Sequence, residues 1–228
     1  MTTQSLLLLL IPVAYLAGSI PFGLLVGLSR GIDPRKSGSG NIGATNVGRL
    51  LGMKYFGYVF ALDFLKGMLP MAAASLILSR ELAAAERSAM LNLLHLLIGF
   101  AAISGHMFSC FLRFTGGKGV ATSAGVAFGL YPFFTFAALI ALTVWAMIYG
   151  ITKYVSLASI IAAIVFPFAF VGMGMIQGWD VFGRQLPLLI FSSLVAVMIV
   201  VRHRSNIARL LSGTESHFTG ASKPNTEG

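Results

Sequence analysis

Charged residues are scarce in this 228-residue sequence: 10% of the residues are Asp, Glu, Lys or Arg, whereas 57% are hydrophobic. Soluble globular domains are about 25% charged and about 45–50% apolar, so a soluble fold of this composition would lack the polar surface to cover itself. The composition also excludes intrinsic disorder, and the lack of a sustained period excludes collagen and coiled coil. Since the apolar residues form long runs without alternation, a membrane β-barrel is disfavoured. The sequence predicts an all-α polytopic membrane protein.

Acidic residues and cysteines are also few. The seven acidic residues are outnumbered by 16 basic ones, which gives a net charge of +9. Because the basic residues lie at the ends of apolar runs, no nucleic-acid partner is predicted; cytoplasmic loops of membrane proteins are normally basic. The single cysteine, Cys110, excludes an intramolecular disulfide and a Cys-based metal site. No metal-ligand cluster is visible, and no cofactor is expected.

The apolar runs predict about seven transmembrane helices, since a helix needs about 20 residues to cross a bilayer. The runs are Leu6–Leu28, Tyr55–Ser79, Met90–Leu112, Val120–Leu130, Pro132–Tyr149, Val155–Ile176 and Leu186–Val201. Pro21 and Gly23 predict a kink in the first run. The fourth run is short, and its alternatives are a half-span or a re-entrant segment packed inside the bundle.

The distribution of Lys and Arg predicts an N-terminus outside and a C-terminus in the cytoplasm. This orientation puts 12 of the basic residues on the inner side, whereas Arg80, Arg87 and Arg184 lie outside. A re-entrant fourth run would reverse everything after it and leave the terminal arginines outside. We expect one membrane domain over residues 1–212 and a polar, mobile cytoplasmic tail over residues 213–228.

Three polar segments fall on the predicted cytoplasmic side. The first, Gly38–Arg49, contains G-x-G-x-x-G, but no strand precedes it, and the residues after Gly48 are not the Lys and Ser/Thr of a P-loop. Its glycines nevertheless let backbone N–H groups approach an anion, and Arg49 adds a charged fork suited to phosphate.

The second polar segment, Gly116–Gly119, surrounds Lys118 with glycines and leads into the fourth run, so it predicts an anion nest at a helix N-terminus. In the third segment, His203 and Asn206 are expected on one face of a helix that leaves the last run. The ordinary pKa of histidine would suit His203 to acid–base work near neutrality. Within the runs, Asp63 and Lys66 are expected to pair, and His106 lies near the inner end.

Six motifs, in order along the chain, resemble the bacterial acyl-phosphate:glycerol-3-phosphate acyltransferases, the PlsY family. The motifs are Gly18–Gly23, Gly38–Arg49, Leu62–Gly67, Gly105–Ser109, Gly116–Thr122 and His203–Ile207. The resemblance implies transfer of a fatty acyl group from acyl phosphate to the 1-hydroxyl of sn-glycerol 3-phosphate, giving lysophosphatidic acid and inorganic phosphate. It also implies a bacterial inner-membrane location with the active site facing the cytoplasm. The implied partners are the two substrates, membrane lipid and the soluble enzyme that makes acyl phosphate.

The resemblance implies a set of site residues as well. The catalytic residues that it implies are Ser39, Arg49, Lys118, His203 and Asn206. We further predict substrate binding by Gly38, Gly40, Asn41, Gly43, Thr45, Asn46, His106, Gly116, Gly117, Gly119 and Thr122. The H-x-x-x-x-D pairing of other glycerolipid acyltransferases is absent, because the residues five places after the histidines are Phe100, Phe111, Ala208 and Ser222.

The mechanism and two other protein classes stay open at this point. Direct transfer needs mainly positioning and charge stabilisation, and either His203 or a substrate phosphate takes the hydroxyl proton. The competing mechanism passes through an acyl-Ser39 intermediate. A transporter for phosphorylated metabolites would have the same composition but predicts charge near the midplane and repeat symmetry, neither of which is evident. A membrane scaffold that only recruits the soluble enzyme is the third class.

Overall fold

A computed structural model describes residues 2–81 and 88–218, and no β-strand occurs within these ranges. The helices are α1 (Thr3–Ser19), α2 (Phe22–Leu28), α3 (Ala44–Leu51), α4 (Met53–Glu81), α5 (Ala89–Met107), α6 (Val120–Gly129), α7 (Thr135–Thr152), α8 (Val155–Ile176), α9 (Leu186–Arg202) and α10 (Arg204–Leu211). A short 3₁₀ turn, Cys110–Leu112, follows α5, so the third predicted run stops being α-helical earlier than expected.

Five stretches are long and apolar enough to cross a membrane, and a sixth candidate is α9 with α10, which bend by 57°. The five are Thr3–Leu28, Met53–Ser79, Ala89–Met107, Thr135–Thr152 and Val155–Ile176. The short helix α6 has 10 residues, which measure only ~15 Å. The prediction of an all-α polytopic membrane protein is therefore confirmed. Seven complete crossings and an outside N-terminus stay predictions.

The predicted kink in the first run is present as a break between α1 and α2 at Ile20 and Pro21. Proline lacks an N–H and cannot continue the ladder of helical hydrogen bonds. The Ile20 carbonyl at this break accepts hydrogen bonds from the Phe22 N–H at 3.1 Å and from Lys66 Nζ on α4 at 2.9 Å. The break is thus held in place by a charged side chain from the neighbouring helix.

The helices α4 and α6 lie side by side and in parallel because small residues let their backbones approach. Cβ atoms on Gly67 and Gly125 would collide with the carbonyls of Thr122 and Phe64, respectively. Thr122 Oγ1 also donates to the Asp63 carbonyl at 2.9 Å. The N-terminus of α6 therefore lies beside Asp63, ten positions after the first residue of α4. The short helix α6 thus starts inside the bundle and not at its end.

The course of the second half of the chain follows from contacts between its ends. Lys118 Nζ, just before α6, donates to Asn206 Oδ1 in α10, and Arg202 Nη2 donates to the Gly116 carbonyl at 2.8 Å. An even number of traverses must therefore separate Gly119 from Arg202. Since α7, α8 and α9 supply three, α6 with the turn that follows it makes the fourth. This course of the chain favours a crossing at α6 over the re-entrant alternative, which would separate these segments.

Part of the predicted tail is packed against the helices. Glu215 and Phe218 are buried, and the Phe218 N–H donates to the Lys153 carbonyl at 2.9 Å in the α7–α8 turn. Tyr149 Oη donates to the Phe218 carbonyl at 3.0 Å. The expectation of a mobile tail is therefore wrong for residues 213–218, whereas residues 219–228 lie outside the described residues. The division at residue 212 stays a prediction.

Candidate active site

The three polar segments predicted to meet do so around one polar pocket of about 110 Å³. Residues from Gly38–Arg49, Gly116–Gly119 and the α9–α10 junction line it, together with parts of α4, α5, α7, α8 and the tail. The predicted residues that line the pocket are Ser39, Asn41, Gly43, Thr45, Asn46, Arg49, His106, Lys118, Gly119, His203 and Asn206. The other five predicted residues do not line it: Gly38, Gly40, Gly116, Gly117 and Thr122.

The first polar segment is organised by the buried side chain of Asn46. Its Nδ2 donates to the carbonyls of Pro34, Ser37 and Asn41 at 2.8–3.0 Å, and its Oδ1 accepts from the Ser39 N–H at 2.9 Å. All of the hydrogen-bonding groups of this amide are therefore used on the loop. Asn46 shapes the loop rather than offering its amide to a substrate, which corrects its predicted role.

The glycines of this loop permit its fold. Gly38 and Gly40 have φ of +61° and +71°, a left-handed conformation that side chains rarely adopt. They therefore shape the loop without lining the pocket. The loop delivers the N-terminus of α3 to the pocket, where the N-cap residue Gly43 makes no side-chain cap. The first N–H groups of the helix thus remain available to an anion.

Arg49, on α3, is half-buried and reaches the pocket wall. Its Nη2 donates to the Ser216 carbonyl of the tail at 2.8 Å, whereas its buried Nε has no hydrogen-bond partner among the described residues. A buried unpaired N–H is costly, and its pairing with an acceptor from a ligand would remove that cost.

The glycine turn before α6 is fixed from behind by Arg202. The guanidinium donates to the Gly116 and Gly117 carbonyls at 2.8–3.2 Å, and the Gly117 N–H donates to the His106 carbonyl at 3.1 Å. Gly116 and Gly117 therefore position the turn, which corrects their predicted contact with the pocket. Gly119, with φ of +86°, makes no side-chain cap, so a second helix N-terminus faces the pocket.

A hydrogen-bonded chain links Lys118 to the tail. Lys118 Nζ donates to Asn206 Oδ1, and Asn206 Nδ2 donates to Glu215 Oε1 at 2.7 Å. Ser156 Oγ and Arg209 Nε also donate to this carboxylate, each at 2.7 Å. Burial alone raises the pKa of Glu215, but the hydrogen bonds from Ser156, Asn206 and Arg209 outweigh it and hold this pKa below its ordinary value. The pocket thus contains an ionised acid that the sequence motifs did not indicate.

Lys118 is the cation most affected by its surroundings. Burial lowers its pKa to about 8; Glu215 acts to raise it, while Arg209, Arg49 and Arg202 lower it further. A lysine in this state carries its charge near neutrality but loses it under mildly alkaline conditions. The charge of Lys118 therefore changes with pH within the physiological range.

His203 lies at the bend between α9 and α10 rather than on one continuous helix with Asn206. Its Nδ1–H donates to the Ile199 carbonyl at 2.8 Å, because a carbonyl can only accept. Burial, reinforced by the charge of Lys118, lowers the pKa of His203 to about 4. This pKa lies below the ordinary value that would suit His203 to acid–base work near neutrality. His203 is neutral, and its Nε2 is a hydrogen-bond acceptor.

The floor of the pocket contains a buried ion pair. Asp63 Oδ1 and Lys66 Nζ are 2.8 Å apart, as predicted, and His106 Nδ1 is 3.6 Å from the same carboxylate oxygen. Asp63 and His106 line the pocket, whereas Lys66 points to the Ile20 carbonyl. Thr122, predicted to bind substrate, instead uses its hydroxyl on the Asp63 carbonyl.

An apolar cavity of about 510 Å³ adjoins the polar pocket. Five residues belong to the walls of both: Phe56, Phe60, Val120, Trp145 and Ser159. The opposite end is closed by aromatic rings, with the Phe134 ring centroid 5.1 Å from that of Phe166 and 6.0 Å from that of Phe191. A molecule with an anionic head and a hydrocarbon chain would fit across the two spaces.

The sequence motifs missed several residues of this site. Glu215 lies in the segment expected to be mobile, and Ser156 and Ser159 lie at the start of an otherwise apolar helix. The only available signal for the serines was their position just after the polar interruption at Thr152 and Lys153. Within the described part of the chain, no group of three or more His, Cys, Asp or Glu side chains is arranged to hold a metal ion.

Fold and site together define a helical membrane protein in which an anion-binding pocket opens onto an apolar cavity. The model of the family "Glycerol-3-phosphate acyltransferase" matches residues 8–213. The chain therefore belongs to the glycerol-3-phosphate acyltransferase family, and the resemblance seen in the motifs is confirmed.

Individual relatives agree with this assignment. The chain is 44% identical over 206 residues to a glycerol-3-phosphate acyltransferase of Trichlorobacter lovleyi, covering 90% of this chain and 94% of that protein. It is 42% identical over 212 residues to one of Aquifex aeolicus, with 92% and 98% covered. It is also similar to a crystal structure of PlsY (YgiH), an integral membrane glycerol 3-phosphate acyltransferase, in its glycerol 3-phosphate form. That similarity has a TM-score of 0.77 and 40% identity over 93% of this chain and 95% of the other.

A second related crystal structure is of PlsY (YgiH) in its lysophosphatidic acid form. It matches with a TM-score of 0.75 and 39% identity, covering 92% of this chain and 94% of that one.

Proposed function

We propose that the chain transfers a fatty acyl group from acyl phosphate to the 1-hydroxyl of sn-glycerol 3-phosphate. The products are 1-acylglycerol 3-phosphate (lysophosphatidic acid) and inorganic phosphate, in the first membrane step of phospholipid biosynthesis. Acyl transfer to glycerol 3-phosphate follows from the family, and related structures are described with glycerol 3-phosphate and with lysophosphatidic acid. Acyl phosphate as the donor is the further step of the proposal.

The observation that carries the choice of donor is the duplicated anion site. Two uncapped helix N-termini, those of α3 and α6, face one pocket, and each is accompanied by a cation, Arg49 and Lys118 respectively. A reaction between two phosphate-bearing substrates needs two such sites, and a fatty acyl donor also needs the adjoining apolar cavity. The phosphate of the donor would lie at α6 and Lys118, with its chain in the cavity, and glycerol 3-phosphate at α3, Arg49 and Ser39.

The reaction in this arrangement is a direct transfer. The 1-hydroxyl oxygen bonds to the acyl carbon, the bond from that carbon to the phosphate oxygen breaks, and inorganic phosphate leaves. His203, neutral and with Nε2 as an acceptor, would bind the hydroxyl hydrogen and aim the oxygen. Because a pKa of about 4 makes His203 a weak base, we assign the final proton to a phosphate of the substrates.

The alternative through an acyl-Ser39 intermediate has less support. An activated serine requires an adjacent base. Among the described residues, no histidine or carboxylate makes a hydrogen bond to Ser39 Oγ, and the backbone N–H of Ser39 is engaged by Asn46. Ser39 is therefore proposed as a phosphate ligand.

We also propose that the protein lies in the bacterial inner membrane, with its site on the cytoplasmic side, and receives its donor from the soluble enzyme that makes acyl phosphate. The basic residues gathered at the site end of the bundle, including Arg204 and Arg209 on α10, support this orientation. Cytoplasmic glycerol 3-phosphate would then reach the pocket directly.

Release of inorganic phosphate by the purified protein in lipid mesophase tests the proposal. Palmitoyl phosphate and glycerol 3-phosphate would be supplied together and separately, to the wild type and to Arg49→Ala and Lys118→Ala. We expect release that needs both substrates and that is lost in both variants. A folded wild type that binds glycerol 3-phosphate but releases no phosphate would contradict the proposal and favour a transporter. Acylated Ser39 after incubation with donor alone would contradict direct transfer.

A further inference from the structure

The neck between the polar pocket and the apolar cavity is where the reacting carbonyl belongs. Five residues form it, because they line both spaces: Phe56, Phe60, Val120, Trp145 and Ser159. If the proposed function holds, the phosphate of the donor occupies the pocket and its chain the cavity. The acyl carbonyl, which joins the two, then lies at the neck.

Ser159 is the one neck residue with a hydroxyl group. It is 3% exposed, and Trp145 Nε1 donates to its Oγ at 3.1 Å. An indole N–H can only donate, so the serine oxygen is the acceptor and the serine hydrogen is left to donate elsewhere. Among the described residues, this hydroxyl makes no hydrogen bond in which it is the donor. A hydroxyl that accepts one hydrogen bond is a better donor in a second, because the two bonds polarise each other.

The acyl transfer requires a hydrogen-bond donor of this kind at the carbonyl oxygen. As the glycerol oxygen bonds to the acyl carbon, the carbonyl π electrons move onto the carbonyl oxygen, which becomes negatively charged. They return when the bond to phosphate breaks. The cations and helix N-termini of the pocket are directed at the phosphates, whereas the neck is otherwise built from three apolar side chains and the indole of Trp145. A donor in this apolar surrounding interacts strongly with a developing charge.

We propose that Ser159 is a catalytic residue that donates its hydroxyl hydrogen to the acyl carbonyl oxygen, and that Trp145 is a positioning residue that orients it. No proton is transferred in this interaction, and Ser159 is unchanged at the end of the reaction. The assignment rests on the proposed function, because it requires an acyl group across the neck.

Steady-state kinetics of Ser159→Ala test the proposal, with Ser192→Ala as the matched control. Ser192 is a buried serine on α9 that lines neither the polar pocket nor the apolar cavity, and its Oγ donates to the Leu189 carbonyl at 2.9 Å. Loss of an oxyanion donor lowers kcat by about 100-fold or more. We expect that loss in Ser159→Ala, with the KM of both substrates little changed, and wild-type kcat in Ser192→Ala. Equal kcat in the two variants, or an effect confined to KM, would overturn the assignment.

Two further variants keep the test decisive if Ser159→Ala is poorly folded. Ser159→Thr retains a hydroxyl and should restore most of the kcat. Trp145→Phe keeps an aromatic ring but removes the N–H, so it should lower kcat by less than Ser159→Ala does. A Trp145→Phe enzyme with wild-type kcat would refute the role given to the indole, and a Ser159→Thr enzyme as slow as Ser159→Ala would refute the hydroxyl.

Infrared spectroscopy provides a readout that does not depend on turnover. A long-chain acyl phosphonate with a ¹³C-labelled carbonyl cannot transfer its acyl group but presents the same carbonyl at the neck. We expect a lower carbonyl stretching frequency in the wild type than in Ser159→Ala, and equal frequencies in the wild type and Ser192→Ala. An unchanged frequency in Ser159→Ala would overturn the proposal. A wild type that neither binds the analogue nor turns over acyl phosphate would instead defeat the proposed function, and this assignment with it.

Discussion

The polar pocket and the apolar cavity are adjacent, yet they are built in different ways. The pocket is made of loops, helix ends and charged groups, most of which are held by another residue, as Asn46 holds its loop and Arg202 holds the glycine turn. The cavity is made of the middle parts of helices, with walls of aliphatic and aromatic side chains. A site for an amphiphile thus combines a rigid polar part with an apolar part defined mainly by shape.

The contrast also explains why one part is visible in the sequence and the other is not. Glycines, Asn and Arg within a short segment are unusual in an apolar chain, so the pocket motifs stand out. On α8, by contrast, Phe166 lines the cavity, whereas Phe168, two positions later, is 73% exposed on the outside. In a membrane both positions favour the same residue type, because lipid is as apolar as the cavity.

Removal of Lys118, the pocket cation that we propose binds the donor phosphate, should reduce turnover the most. Lys118→Met should lower turnover at neutral pH by about 100-fold or more, since a preorganised charge in a buried site carries much of the stabilisation of a developing anion. Lys54→Met is the matched control, because Lys54 is exposed and does not line the pocket. Phosphate release is measured for both variants. An equal loss of activity in the two would contradict the role given to Lys118.

The next effect concerns the ion pair beneath the pocket. Asp63→Ala leaves Lys66 buried without its counter-ion, which should reduce the free energy of unfolding by about 3–5 kcal/mol. Asp63→Ala combined with Lys66→Met should recover much of that loss, because no unpaired charge remains. Thermal unfolding in detergent compares the two, and a double variant no more stable than the single one would contradict this role of the pair.

A third prediction concerns pH. A lysine is charged below its pKa, so the attraction of Lys118 for phosphate is present below about pH 8 and is lost above it. We expect kcat/KM to fall about tenfold for each pH unit above that value, and Lys118→Arg to move this decline to much higher pH. Since Glu215 raises the pKa of Lys118, Glu215→Gln should move the decline to lower pH. A profile that is the same in Lys118→Arg as in the wild type would assign the decline to another group.

Much of the fold follows from the sequence because the bilayer imposes strong rules. Long apolar runs become helices, Pro21 interrupts the first, and Asp63 pairs with Lys66 because isolated charges in a membrane are costly. The convergence of three polar segments also followed from counting traverses. These predictions depend on residue type and order, which a sequence contains directly.

The remaining features depend on three-dimensional contacts that the sequence does not specify. The pKa of His203 is low because of burial and the neighbouring Lys118, 85 positions away in the chain. Glu215 enters the site because Ser156, Asn206 and Arg209 gather around it. Gly116, Gly117 and Asn46 belong to the motifs that meet at the pocket, but their role is to set the backbone conformation of its loops. The motifs therefore predicted which segments gather around the pocket but did not separate the residues that line it from those that support them.

Filling only the cavity tests whether headgroup and chain occupy two separate spaces of one site. Ala163 lies on α8 between Ser159 at the neck and Phe166 at the closed end, and it lines the cavity alone. Ala163→Phe should displace part of a long chain at ~0.8 kcal/mol per methylene, and so lower kcat/KM for palmitoyl phosphate by roughly tenfold or more. The kcat/KM for octanoyl phosphate and the KM for glycerol 3-phosphate should change little.

Ile164→Phe, on the outer face of the same helix, is the control, and it should leave both donors unchanged. We therefore expect Ala163→Phe, and not Ile164→Phe, to lower kcat/KM selectively for the long-chain donor. An equal loss of kcat/KM for both donors in Ala163→Phe, or no loss for either, would contradict the separate placement of headgroup and chain.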